Sequence, residues 1–298
     1  MVCIGRAAAR DSLGTDLSQN GYCSAPLYNP INFYHLRIRS NGNVGSLIID
    51  TGAPETLVFR SSLKRLGLIE EKTNRHVIGV LGRGADVFGL ASIKTLMAGN
   101  CSFTDVPVLI ANGRGETMLD PTRPDGAFGL HELIRYGAVL DLKNRLIYLQ
   151  AGPKKNNSGI RSVLLQQGYT PVPVSIVDHH LMIRGSLNGI PCRMVVDTGA
   201  FLTVFNSDFI TRAGFKTVAT PFIARGLGGS THVRMVKFAT LRIENYEILN
   251  GSATVAPLNP EIFNSKSGVA GLIGAEYLGR NWAVFDFGDG TMYLRPRR

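Results

Sequence analysis

Two short segments carry the residues best suited to chemistry, Leu47-Ile48-Ile49-Asp50-Thr51-Gly52-Ala53 and Met194-Val195-Val196-Asp197-Thr198-Gly199-Ala200. Each runs an apolar stretch into a carboxylate and a turn, and they stand 147 residues apart (197 − 50 = 147). A single Asp-Thr-Gly is an ordinary strand end, with Asp capping the turn and Gly supplying backbone freedom. Two copies in register mean more if the strands bring them together. Carboxyl groups held side by side in a dry place cannot ionise independently, so they share one proton. Such a pair offers a general base for a water and a general acid for a carbonyl oxygen or a departing amine, which is the chemistry of amide hydrolysis. Gly52 and Gly199 let a neighbouring backbone come close. The hydroxyls of Thr51 and Thr198 can bond across to the other segment and fix the geometry of the pair.

The elements that must position these segments repeat as well. His35-Leu36-Arg37-Ile38-Arg39 returns as His180-Leu181-Met182-Ile183-Arg184, each followed by Gly/Asn turn residues and then the Asp strand, which reads as a hairpin. Thr56-Leu57-Val58 returns as Thr203-Val204-Phe205. A glycine-rich turn follows each Asp by about thirty residues, with Gly79, Gly82 and Gly84 in the first copy and Gly226, Gly228 and Gly229 in the second. Gly126-Ala127-Phe128-Gly129 parallels Gly271-Leu272-Ile273-Gly274, and each half closes on two similar apolar runs separated by a turn. A repeat of this length means two copies of one unit.

Short apolar runs divided by Gly, Asn and Asp predict a mostly β chain, with helix at Ser61 to Leu66, His131 to Tyr136 and Ser207 to Ala213. The expected organisation is an N-terminal segment over 1–30 outside the repeat, a first lobe over 31–152, a linker over 153–168 and a second lobe over 169–298. The polar, turn-rich stretch from Gly152 to Gly159 opens that linker.

The 298 residues leave room for two units with cores of their own. A formal charge of +10 comes from 32 Lys+Arg against 22 Asp+Glu. The basic residues are scattered and not interleaved with aromatics, which predicts a generally basic surface and no nucleic-acid groove. No apolar run reaches the ~18 residues of a membrane span, and Met1 to Arg10 lacks the apolar core of a signal peptide. A soluble protein is expected, cytosolic, or extracytoplasmic (periplasmic) if a signal was removed upstream. Cys3, Cys23, Cys101 and Cys192 are too few and too dispersed for a disulfide scaffold or a zinc site. Cys3 and Cys23 could bridge an N-terminal loop, or the thiols could stay unpaired.

Rival motifs fall away. His131-Glu132 opens a His-Glu-x-x-His zinc motif, but Arg135 stands where the second His must be. His179 and His180 are adjacent, so in a strand they point to opposite faces. Neither glycine-rich turn is followed by Lys-Ser/Thr, and no Gly-x-Ser-x-Gly occurs. No metal and no organic cofactor is expected.

The doubled Asp-Thr-Gly-Ala, the Gly226-Leu227-Gly228-Gly229 turn and the Ile-Gly-x-x-x-Leu segment from Ile273 to Leu278 make the chain resemble the pepsin and retropepsin clan of aspartic proteases, nearer the retropepsin side. The resemblance runs from about Asn32 to Leu294. It implies an all-β, two-lobed acid-protease fold, each lobe a retropepsin-like closed β-barrel with one or two short helices. It implies an aspartic endopeptidase with Asp50 and Asp197 as catalytic carboxyls, supported by Thr51, Gly52, Thr198 and Gly199. The hairpins around Gly82, Gly84, Gly226, Gly228 and Gly229 would be flaps over an extended polypeptide, with Phe128-Gly129 and Ile273-Gly274 beneath the active-site loops.

The chain departs from the retropepsin pattern in two respects. The Asp that commonly follows the motif and its Arg partner are replaced by Pro54 and Phe201, and by Leu130 and Ala275. Their joint loss fits lobes joined in one chain, so a monomer is expected. Ala53 and Ala200 stand where pepsin-like enzymes usually have Ser. Without that hydroxyl the charged carboxylate is less favoured, and the expected activity optimum is weakly acidic to neutral. The alternative reading is a non-catalytic module of protease fold that grips extended peptides by strand addition.

Overall fold

Apolar and polar residues alternate through the hairpin that leads into the first motif. His35–Ser40 pairs antiparallel with Asn43–Asp50, turning Leu36, Ile38, Leu47 and Ile49 inward and Arg37 and Arg39 outward. In the second half His180–Leu187 pairs with Ile190–Val196. Asn41-Gly42 and Asn188-Gly189 make the turns, all four with positive φ (49, 89, 46 and 83°), the backbone that a two-residue hairpin of matching twist needs. The structure is a computed structural model that describes residues 12–30, 33–78, 81, 85–112, 123–150, 158–226, 229–263 and 268–296.

Each Asp strand then runs parallel to a short buried strand from far along the chain. Asn43–Asp50 lies beside Gly126–Gly129, with Asp50 level with Gly129, and Ile190–Val196 lies beside Val269–Ile273. On the far side of these late strands, Leu57–Phe59 and Val204–Asn206 pair antiparallel. The crossing is tight: a Cβ on Gly126 or Gly271 would stand 2.0 or 2.1 Å from the carbonyl oxygen of Leu57 or Val204. In each half six strands close on themselves. The ring is completed where His35–Ser40 meets Ala85–Ala98, and where His180–Leu187 meets Gly229–Ile243. The result is mostly β, two closed barrels with short helices, as the resemblance implied.

A six-stranded sheet joins the barrels. Its order is Cys23–Tyr28, Leu146–Leu149, Val139–Asp141, Val284–Asp286, Thr291–Leu294 and Thr170–Pro173, three strands from each half. Helices Ser12–Gln19 and Ser158–Gln166 pack together. Leu13 and Leu17 of one and Ile160 and Leu164 of the other are buried with Tyr22, Tyr148, Tyr169, Tyr293, Val139 and Val284. Both helices end alike, the Tyr22 N–H donating to Leu17 O and the Tyr169 N–H to Leu164 O at 3.0 Å. Gly21 (φ 84°) and Gly168 (φ 81°) supply the left-handed residue of that cap.

This base changes the reading of the first thirty residues. Leu13, Leu17, Gly21 and Tyr22 match Ile160, Leu164, Gly168 and Tyr169 at the motif's own offset (169 − 22 = 147), so the repeat begins before residue 30. Helix Ser158–Gln166 occupies much of the span read as linker. The other helices are Leu63–Leu66 after a 3-10 turn over Arg60–Ser62, Leu130–Arg135 and Ser207–Arg212, all near the expected places, and Ala275–Arg280, which was not anticipated.

The cysteine pairing also differs from expectation. Cys23 is bonded to Cys101, with Cα atoms 5.2 Å apart, and Cys3 lies outside the described residues. The turn before Cys101 is pressed onto the strand of Cys23. Ser24 N donates to Asn100 Oδ1 at 2.6 Å, Asn100 N donates to Ser24 O at 3.1 Å, and Gly99 leaves no space for a Cβ beside Ser24 O. That contact brings together two thiols 78 residues apart. Cys192 is a buried free thiol.

Candidate active site

Asp50 and Asp197 sit at the ends of the two parallel-paired strands, each at the start of a tight loop. Within each loop the backbone turns its amides onto the carboxyl. Gly52 N and Ala53 N donate to Asp50 Oδ1 at 2.9 and 3.0 Å, and Gly199 N and Ala200 N donate to Asp197 Oδ1, both at 2.9 Å. The inner oxygens are therefore fixed by the backbone.

Thr51 and Thr198 tie the two loops to each other. The Thr51 hydroxyl accepts from Thr198 N at 3.0 Å and donates to Val196 O at 2.7 Å. The Thr198 hydroxyl accepts from Thr51 N at 3.1 Å and donates to Ile49 O at 2.7 Å. Both threonines are fully buried, so these four bonds have no competition from water. Gly52 and Gly199 bring each loop against the opposite carboxyl, at a distance no side chain would permit.

The two carboxyls hydrogen-bond to each other. Burial pushes Asp197 well above the usual carboxylate range, and the negative charge of Asp50 adds to the rise. Burial also raises Asp50, opposed by the amides of Gly52 and Ala53 and by the bond from Asp197. The two carboxyls therefore titrate as one coupled pair, both raised above the usual carboxylate range.

Beneath the loops lie the late strands and the helices that follow them. Leu130 N donates to Ala53 O and Ala275 N to Ala200 O, both at 2.8 Å. Here Phe128-Gly129 and Ile273-Gly274 support the loops from below, as the resemblance implied. Where retropepsins carry the Asp and Arg pair, Phe201 instead packs against Phe33 of the other lobe, with ring centroids 5.8 Å apart and the planes tilted by 47°.

Of the expected flap residues, Gly226 and Gly229 face each other at the end of the hairpin Thr217–Gly226 and Gly229–Ile243. Gly82, Gly84 and Gly228 lie outside the described residues. Leu81, which sequence reasoning did not single out, reaches across from the first lobe. It is buried in an apolar cluster of the second, with Val233, Leu258 and Met182, and it abuts Gly226 and Gly229. Sequence reasoning met Glu132 only in the failed zinc motif and did not single out Glu276. Among the described residues no cluster of three His, Cys, Asp or Glu could hold a metal ion.

Two closed barrels with a buried pair of aspartates between them, one from each copy of a repeat, are the architecture of the aspartic proteases. The chain belongs to the aspartyl protease family, whose sequence model matches residues 36–131 and again 183–277. No curated protein matches the chain. Among solved structures, it is similar in fold to an aspartic proteinase from Irpex lacteus. Identity is 15%, with 93% of this chain and 97% of that one covered and a TM-score of 0.54.

Proposed function

We propose that this protein is an aspartic endopeptidase that hydrolyses peptide bonds with a water held between Asp50 and Asp197. The observation that supports the reading is the pairing of two buried carboxyls, one from each lobe, whose inner oxygens are already occupied by backbone amides. The outer oxygens are left to face a water. In the forward step Asp50 takes a proton from that water as its oxygen attacks the scissile carbonyl carbon, and Asp197 gives its proton to the carbonyl oxygen. The tetrahedral diol then collapses: the nitrogen takes the proton held by Asp50, the C–N bond breaks, and a diol hydroxyl returns a proton to Asp197. The scheme uses no metal or cofactor.

The substrate is an extended polypeptide lying under the hairpins that carry Leu81 and Gly226, and both lobes come from one chain, so a monomer suffices. The Cys23–Cys101 bond favours an oxidising compartment. The described helices include none long and apolar enough to cross a membrane.

The test is incubation with a diverse peptide library, with and without pepstatin, followed by mass-spectrometric mapping of the cuts. Asp50→Asn and Asp197→Asn are expected to stay folded and to lose cleavage by about 100-fold or more. A fully active Asp197→Asn protein would end the two-carboxyl scheme. Peptide binding without any cut would leave a peptide-gripping module in its place.

A further inference from the structure

Two buried carboxyls play no part in that scheme. Glu132 and Glu276 are 1% and 7% exposed, on the short helices Leu130–Arg135 and Ala275–Arg280 that underlie the two loops. A carboxyl in such a place is costly unless its oxygens are bonded. Each bonds to the threonine six positions after its lobe's Asp (56 − 50 and 203 − 197). Glu132 Oε2 accepts from Thr56 N at 3.1 Å and also from the Thr56 hydroxyl. Glu276 Oε1 accepts from Thr203 N at 2.7 Å, and its Oε2 is buried without a hydrogen-bond partner.

We propose that Glu132 and Glu276 are positioning residues for the carboxyl pair, each acting through Thr56 or Thr203 on the glycine beneath its lobe's active-site loop.

The path is continuous in both lobes. Gly129 N donates to the Thr56 hydroxyl at 3.0 Å. The next residue, Leu130, donates to Ala53 O at 2.8 Å, and Ala53 N donates to Asp50 Oδ1 at 3.0 Å. In the second lobe Gly274 N donates to the Thr203 hydroxyl at 2.9 Å, Ala275 N to Ala200 O at 2.8 Å, and Ala200 N to Asp197 Oδ1 at 2.9 Å. In the first lobe the Thr56 hydroxyl, which accepts from Gly129, has one proton to give and Glu132 takes it, while in the second lobe Glu276 holds Thr203 by its backbone N–H. The glutamate thereby fixes the place of the threonine, and with it the height of the glycine strand under the loop.

The two halves reach this arrangement from different places. Gly129 matches Gly274 in the repeat (274 − 129 = 145), so Glu132 aligns with Tyr277, and Glu276 with His131. The carboxyls are one residue out of register, yet both end on the equivalent threonine. Simple inheritance of a helix-surface residue would keep the register. A requirement for a carboxyl at the threonine accounts for the shift. Glu276 also takes amides of its own helix, and burial raises its carboxyl above the usual range.

The kinetic consequence rests on the aspartic-protease reading, whereas the geometric one does not, and the experiment reads both. Glu276→Ala is expected to lower kcat by about 10- to 100-fold with KM little changed, the signature of a displaced reacting group. In the same protein, hydrogen exchange followed by NMR should show the Gly199 and Ala200 amides losing protection while Gly52 and Ala53 keep theirs. Glu132→Ala should give the mirror image. Glu276→Gln, whose amide oxygen still accepts from Thr203 N, should restore most of kcat and protection. Thr203→Val removes the hydroxyl at nearly constant shape and is expected to repeat the effect of Glu276→Ala, which covers the case where the alanine variant does not fold. The proposal is overturned if a folded Glu276→Ala or Thr203→Val leaves the Ala200 amide and kcat unchanged. It is equally overturned if protection falls evenly over both lobes, as loss of general stability would cause. Should the native chain cut no peptide, the proposed function fails while the exchange measurement still decides the positioning.

Discussion

Leu140 pairs with Phe285 in the middle of the six-stranded sheet, and the two are the same position of the repeat (285 − 140 = 145). The flanking pairs, Val139 with Asp286 and Asp141 with Val284, change places under the same offset. The pseudo-twofold axis that relates Asp50 to Asp197 therefore passes through a backbone-paired junction, and the lobes share one sheet.

Phe285 is buried in the main core at that junction. Phe285→Ala is expected to cost about 3–5 kcal/mol. Calorimetry should show one transition moved downward as a whole, because the strand belongs to both lobes. Two transitions with only one displaced would contradict the shared sheet.

A Cβ on Gly199 would stand 2.3 Å from the Asp50 carboxyl carbon, and one on Gly52 would stand 2.5 Å from that of Asp197. Gly199→Ala must therefore push the loops apart. Cleavage should fall by about 100-fold or more, since a misplacement near 1 Å is enough for that. The change should act mainly on kcat, and retention of wild-type kcat would refute the close approach.

The raised Asp197 carboxyl has a consequence for stability. Its folded value lies above its unfolded one, so the native state holds the proton more tightly. The stability this contributes is complete in acid, below the ordinary carboxylate range, and is lost as pH rises through the raised value. Asp197→Asn removes that loss while its amide oxygen can still accept from Gly199 and Ala200. The variant should therefore melt higher than the native protein near neutral pH and show no such gain in strong acid. Thermal melts across the two pH regions decide it.

Ala53 and Ala200 each donate only a backbone N–H to the neighbouring carboxyl. A serine hydroxyl at both positions would add a donor to the charged form and lower the apparent pKa of the pair. The Ala53→Ser/Ala200→Ser double variant should carry its activity optimum to lower pH than the native optimum, itself expected between weak acid and neutrality. A pH–rate profile that moves upward would be the contrary result.

The parts of this site legible in the sequence are those encoded over a few adjacent residues. Asp50, Thr51 and Gly52 sit in one loop, their copies recur at one offset, and the chemistry needs nothing more distant to be recognised. The hairpins were legible for the same reason, through a repeated strand segment and the Asn-Gly turn that follows it. Glu132 and Glu276 were not, because they act on residues 76 and 73 positions away and stand out of step with the repeat. A charged residue on a short helix looks like a solvated one until the partner is in place. Helices Ser12–Gln19 and Ser158–Gln166 had a signal, apolar residues at i and i+4 before Gly-Tyr in both copies, but each is too short to declare itself by periodicity alone. The Cys23–Cys101 bond depends on how a turn packs against a strand, which no local pattern specifies.

That covalent link has no counterpart in the second half, where Thr170 and Tyr246 occupy the matching positions on the equivalent strands. The stretch it encloses contains Asp50, Thr51 and Thr56, while Asp197, Thr198 and Thr203 lie in an open stretch of chain. A reductant would thus handicap one twin of a matched couple and spare the other, leaving a balanced machine lopsided before it came apart.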